Sequence, residues 1–167
     1  VWRDWKKYMK ADEKKYFPMF VDLTQKKVTV IGAGNIAKRR VETLLSFVGT
    51  IEVIAPDACE EIKKLAKEGR LVWKEKEYDR EDLYDADLVL SATNDEKVNN
   101  DVYSACKCLG ISVNTASNRM KCDFYFPAIL QKEETVIGLN SAGNPAKTKN
   151  VRKEMQKWIE EAGEKHE

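Results

Sequence analysis

Histidine is nearly missing from this chain: of 167 residues the one histidine is His166, in the tail. That excludes a histidine-centred catalytic triad and a multi-histidine metal site in the core. Any chemistry is left to carboxylates, Lys, Tyr, Cys or hydroxyls. The four cysteines, Cys59, Cys106, Cys108 and Cys122, lack zinc-type spacing, so no metal site is expected. Cys106 and Cys108 stand two apart in a helical stretch and point to different faces, as reduced thiols do in a reducing compartment. A field of one sign is also missing: 29 basic against 28 acidic residues leave a net charge of +1. Such a balance favours neither nucleic acid nor an anionic membrane as partner. No apolar run approaches the ~20 residues of a membrane span, and no charged-then-apolar signal segment opens the sequence. A cytoplasmic protein is expected. Repeats and low-complexity tracts are absent, and the first residue is Val1 rather than Met, as in a trimmed piece.

What is present is organised around Val28-Thr29-Val30-Ile31-Gly32-Ala33-Gly34-Asn35-Ile36-Ala37. Four apolar or β-branched residues read as a buried parallel strand and run straight into Gly-x-Gly-x-x-Ala. Ile36, Ala37, Val41, Leu44, Leu45 and Val48 then recur at helical spacing up to Gly49, a candidate helix cap. Strand, glycine turn and helix together point to a dinucleotide site. Gly32 allows the tight turn, Gly34 lets backbone approach a pyrophosphate, and Ala37 is small enough for close helix–strand packing. The free N–H groups at the helix start face the phosphates.

Along the rest of the chain, strands are expected at 50–55, 71–73, 87–93 and 111–114. Helices are expected at 58–68, with Ile62, Leu65 and Ala66 inward, and at 95–109. This alternation predicts an α/β fold, a Rossmann-type doubly wound parallel sheet, with Gly34, Pro56-Asp57, Thr93-Asn94 and Asn114 along its carboxyl edge. Past Asn114 the pattern changes. Strands at 124–130 and 135–140 form a hairpin around the turn 131–134, with Pro127 marking an edge or bulge. A last helix from Pro145 buries Val151, Met155, Trp158, Ile159 and Ala162. Hairpin and helix form either a dimerisation arm or a cover for one sheet edge. Residues 1–15, with Trp2, Trp5, Tyr8 and Met9 among lysines, are either a packed aromatic edge or a solvated basic arm. The domains expected are an N-terminal extension at 1–15, an NAD-binding domain at 16–117, and a dimerisation and substrate region at 118–167.

Several residues admit two readings. Asp57 is either the acid that binds the ribose hydroxyls or, with Glu60, a capping-box start to the next helix. No arginine follows the second strand to receive a 2′-phosphate, which favours NAD over NADP. Thr93-Asn94-Asp95 caps a helix, contacts the nicotinamide half of the cofactor, or does both. Asp123 is either a surface aspartate or a catalytic acid/base. Arg119, Lys121, Lys147, Lys149 and Arg152 either hold substrate carboxylates or form a solvated face. Asn144-Pro145 reads as a helix cap followed by a first-turn proline.

Tyr16-Phe17-Pro18-Met19-Phe20-Val21-Asp22-Leu23, the segment from Val30 to Arg40, Ala92-Thr93-Asn94-Asp95, Val98-Asn99, Val113-Asn114 and Cys122-Asp123-Phe124-Tyr125-Phe126-Pro127-Ala128 together resemble the siroheme-synthase amino-terminal family. Its members are precorrin-2 dehydrogenases, often also sirohydrochlorin ferrochelatases, hence both oxidoreductases and lyases. The resemblance implies NAD-dependent oxidation of the tetrapyrrole precorrin-2 to sirohydrochlorin within a homodimer. It implies that Asn35 and Ile36 touch the cofactor at the glycine loop, Pro56 and Asp57 its adenosine end, and Thr93 and Asn94 its nicotinamide end. Asn114 and Asn144 then lie on the substrate side. Where the family carries an aspartate three residues beyond the asparagine of the fifth strand, this chain has Ser117, which cannot serve as a carboxylate base. Asp123 is the substitute acid/base expected. The alternative function is a cofactor- or tetrapyrrole-binding protein without turnover.

Overall fold

The apolar run ahead of the first glycine forms β1 (Lys27–Ile31) in a computed structural model that describes residues 17–163. Around it stand β2 (Thr50–Ala55), β3 (Val72–Glu75), β4 (Leu88–Ser91) and β5 (Ser112–Thr115). All five are parallel, in the order β3-β2-β1-β4-β5. Parallel strands need crossovers, supplied by α1 (Asn35–Leu44), α2 (Glu60–Lys67) and α3 (Glu96–Leu109). Helices cover both faces, which is why β1 and β4 are apolar almost throughout. On one face Ala37 and Val41 of α1 and Ile62 of α2 pack on Val30, Val53 and Leu90. On the other, Val102 and Cys106 of α3 pack on Ile31, Ile54, Val89 and Val113. The strand order reverses between β1 and β4, and a crevice at such a switch point is where α/β sheets bind ligands.

Beyond β5 a short 3-10 turn (Arg119–Lys121) leads to an antiparallel pair, β6 (Ala128–Lys132) and β7 (Thr135–Leu139). α4 (Pro145–Gly163) lies on this hairpin, with Arg152 Nε donating to the Ile129 carbonyl at 3.2 Å. The architecture is the expected parallel sheet followed by hairpin and helix.

Local expectations need correction in several places. Gly49 does not cap α1, which ends at Leu44 with Leu45 as its cap; the Gly49 amide donates to the Leu23 carbonyl, and a Cβ there would stand 2.1 Å from the Thr24 carbonyl oxygen. Two backbones cross, and only glycine fits. Ile36 is not an inward residue but 46% exposed. The segment 124–127 is not strand, because Pro127 lacks a ladder donor and β6 starts after it. The hairpin loop is the two residues Glu133 and Glu134 rather than four, with Glu133 at φ 52°. Trp158, expected inward, is 67% exposed, while Val151, Met155 and Ile159 are half-buried. The readings on residues 1–15, Tyr16 and His166 lie outside the described residues, as does the side chain of Ala162. Among the described residues no helix is long and apolar enough to cross a membrane.

Candidate functional site

Gly32 turns the chain out of β1 at φ 98°, a conformation that side chains rarely adopt. A Cβ here would lie 2.7 Å from the Ala92 carbonyl oxygen and 3.0 Å from the Thr93 amide nitrogen. The missing side chain therefore lets the glycine turn rest directly on the end of β4. Two residues on, Gly34 precedes α1 with no side-chain cap and no acidic residue in the first turn. Nothing stands within 4 Å of the space its Cβ would fill. The result is an open cradle beside uncapped helix N–H groups, which fits a pyrophosphate. Asn35 and Ile36 line it, both exposed, while Ala37 is buried against the sheet. The loop is held from beneath: the Cys59 amide donates to the Ala33 carbonyl at 3.1 Å.

At the carboxyl end of β2, Pro56 and Asp57 are exposed. The capping-box reading of Asp57 and Glu60 does not hold, since α2 starts after Cys59 without a side-chain cap. Asp57 instead reaches Lys63 on α2, at 3.0 Å, and that ammonium holds its carboxyl below the usual aspartate range. Lys63 also lies 3.4 Å from Glu60 and 6.0 Å from the Trp73 ring centroid.

The end of β4 is fixed by Asn99, a residue of α3 that is fully buried. Its Oδ1 accepts the Ser91 hydroxyl at 2.6 Å and faces the Thr93 hydroxyl at 3.1 Å. Its Nδ2 donates to the Thr93 carbonyl at 3.0 Å and to Ser117 Oγ at 3.3 Å. One amide thus ties β4, the β4–α3 loop and the loop after β5 together. Asp95 caps α3 by accepting the Lys97 and Val98 amides, and Asn94 stands exposed beside it. Sequence reasoning singled out Thr93 and Asn94 but gave Asn99 no role. Two signals mark it: its place in the Val98-Asn99 pair of the family resemblance, and an asparagine inside a helix, a position it otherwise disfavours.

Ser117 is exposed at this same edge. Asn114 and Asp123 are not displayed there. Asn114 is buried in β5 and donates its Nδ2 to the Phe124 carbonyl at 2.7 Å. Asp123 pairs with Val113 near the start of β5: their backbones bond at 2.9 Å, and the Asp123 carboxylate accepts the Val113 amide at 3.0 Å. The same carboxylate is ion-paired with Lys107 in the last turn of α3. Asp123 therefore fastens the returning chain antiparallel along the outer edge of β5, beside the bridge of Asn114 to Cys122. Asn144 caps α4, accepting the Lys147 amide at 3.0 Å. Neighbouring Gly143 brings that helix start against Tyr125 and Arg119, within 3.4 Å of an added Cβ. Among the described residues no group of three or more His, Cys, Asp or Glu is placed to hold a metal ion.

Residues 19–128 match the family model described as "Putative NAD(P)-binding". A multifunctional siroheme biosynthesis protein of Ruminiclostridium josui is 39% identical over 143 residues, which is 84% of this chain and 28% of that protein. The siroheme synthase of Pseudoalteromonas atlantica is 36% identical over 145 residues, 86% of this chain and 31% of that protein. The chain thus spans under a third of the length of these curated relatives. A solved structure titled SirC, precorrin-2 dehydrogenase, superimposes with a TM-score of 0.68 at 26% identity, covering 85% of this chain and 70% of that one.

Proposed function

The chain belongs to the siroheme-synthase amino-terminal family of NAD(P)-binding domains, and on that premise we propose that it oxidises precorrin-2 to sirohydrochlorin in siroheme biosynthesis, with NAD as the nicotinamide cofactor. The observation that carries this reading is the seating of Gly32 on Ala92–Thr93. It joins a pyrophosphate cradle to a buried hydrogen-bond hub that orients the far end of the same crevice.

When bound, NAD supplies a hydride acceptor. The residues of the chain supply binding and orientation. Backbone N–H groups at Asn35 and Ile36 hold the pyrophosphate over Gly34. Pro56 packs against the adenosine half, and Asp57 accepts the ribose hydroxyls. Thr93 and Asn94 position the nicotinamide end, kept in place by Asn99. The tetrapyrrole lies over the loop 115–122, with Asn114 fixing that loop from below and Asn144 holding the α4 start beside it. Proton removal falls to solvent or the substrate's own carboxylates next to the Ser117 hydroxyl, because Asp123 is engaged by Lys107 and Val113. Residues 16–117 then form the cofactor domain, with 1–15 as an extension. Residues 118–167 supply the substrate side and a homodimer contact through the exposed Trp158 of α4.

A second reading, cofactor binding without turnover, is favoured by the hydroxyl at Ser117 and the engagement of Asp123. Anaerobic incubation with precorrin-2 and NAD separates the two. NADH and sirohydrochlorin absorbance rising together supports the dehydrogenase. Bound NAD with neither signal above the uncatalysed rate leaves the binding module.

A further inference from the structure

The carboxyl end of β2 carries a charge arrangement that the assignment of Asp57 to ribose binding leaves unexplained. A carboxylate that binds ribose hydroxyls works best uncommitted, yet Asp57 shares its oxygen with the Lys63 ammonium at 3.0 Å. Lys63 is also held by Glu60 at 3.4 Å, and its Nζ lies 6.0 Å from the Trp73 ring centroid. The Trp73 ring is itself fixed by a hydrogen bond from Nε1 to the Ala55 carbonyl, at 3.1 Å, on the last residue of β2. The ammonium is therefore positioned at the strand end rather than swung into solvent. Asp57 is 86% exposed at its side chain, so solvent screens its pair with Lys63 and leaves the tie weak.

Resting on the reading that this edge binds a nicotinamide dinucleotide, we propose that Lys63 is a latent ligand for the adenosine 2′-phosphate of NADP, held in check by Asp57. With Asp57 and Glu60 both ionised, two carboxylates face one ammonium, and a doubly charged phosphate is repelled more than it is attracted. The selectivity for NAD comes from this count of charges and not from the lack of a cation. Neutralising Asp57 leaves one carboxylate, Glu60, against one ammonium: Lys63 is released from Asp57, and the phosphate takes the place of that carboxylate in a charge-assisted hydrogen bond. The switch requires no new basic residue.

The test is calorimetric titration of the 167-residue chain, without tetrapyrrole, using NAD and NADP on the wild type, Asp57→Asn, and Asp57→Asn with Lys63→Gln. The expected result is tighter NADP binding by Asp57→Asn, by about tenfold, the scale of one charged hydrogen bond. NAD binding weakens in the same variant, and the gain for NADP disappears in the double variant. No gain for NADP in Asp57→Asn, with NAD still bound by the wild type, overturns the inference and leaves the cofactor site standing. A gain that survives Lys63→Gln also overturns it, since repulsion alone then explains selectivity. A wild type that binds neither nucleotide overturns the cofactor reading and the inference together.

Discussion

Gly32 and Ala92 lie in backbone contact: a Cβ on the glycine would stand 2.7 Å from the Ala92 carbonyl oxygen. Gly34, two residues on, faces open space. The two glycines of one motif are therefore needed for different reasons, and their alanine variants separate. Gly32→Ala forces a side chain into a left-handed conformation and a clash, costing about 1–3 kcal/mol from backbone strain alone. Gly34→Ala leaves the melting temperature nearly unchanged but puts a methyl where the pyrophosphate approaches, weakening NAD binding by about tenfold or more. Thermal melts with and without NAD distinguish the two.

Asn99 holds three segments through one amide. Asn99→Leu leaves the Ser91 hydroxyl without its acceptor and frees Thr93 and Ser117, and each buried polar group left unpaired costs about 1–3 kcal/mol. The expected result is a lower urea midpoint, together with weaker NAD binding in the fraction that folds. Unchanged NAD affinity in the folded variant would show that Thr93 is held without the hub.

Ser117 and Asp123 separate by stability. Asp123→Asn breaks the pair with Lys107 and weakens the bond to the Val113 amide, lowering stability by about 1–2 kcal/mol. Its turnover falls only in proportion to the unfolded fraction. Ser117→Ala, at an exposed position, leaves stability within about 0.5 kcal/mol while slowing sirohydrochlorin formation. Denaturation curves beside single-turnover assays check both. Loss of turnover in fully folded Asp123→Asn would return Asp123 to an acid/base role.

Trp158 is 67% exposed on a helix whose Val151, Met155 and Ile159 are half-buried. Trp158→Lys is expected to convert a dimer to a monomer in light-scattering measurements without loss of helical signal. A variant that stays dimeric removes α4 from the contact.

Acid sensitivity follows from Asp101, whose carboxyl the Arg80 guanidinium holds below the ordinary 3.8. The folded form favours the charged carboxylate, so the stabilisation is present above the unfolded value and is lost as pH falls through the depressed one. Asp101→Asn should therefore melt below wild type at pH 7, with the gap closing as pH is lowered past 3.8. A gap that widens on acidification contradicts the sign.

The strand–glycine–helix core was legible because parallel strands buried on both faces demand unbroken apolar runs, and Val28 to Ile31 is one. The Asn99 hub was not, since its partners come from β4, its loop and Ser117, which no local pattern brings together. Asp57-x-x-Glu60 fitted a capping signature, yet α2 begins only after Cys59, and the partner Lys63 is six residues away in sequence. Helical periodicity identified Trp158 as apolar but carries no information on whether its cover belongs to this chain or to another.

The antiparallel return of residues 122–124 along β5 has a consequence for how the chain can be divided. β5 is the terminal strand of the sheet, and the Asp123 backbone occupies the Val113 carbonyl that would otherwise face outward. A piece excised after Ser117 would carry a bare β-edge, open to pairing with a second copy and to aggregation. One excised after Pro127 keeps its own edge guard.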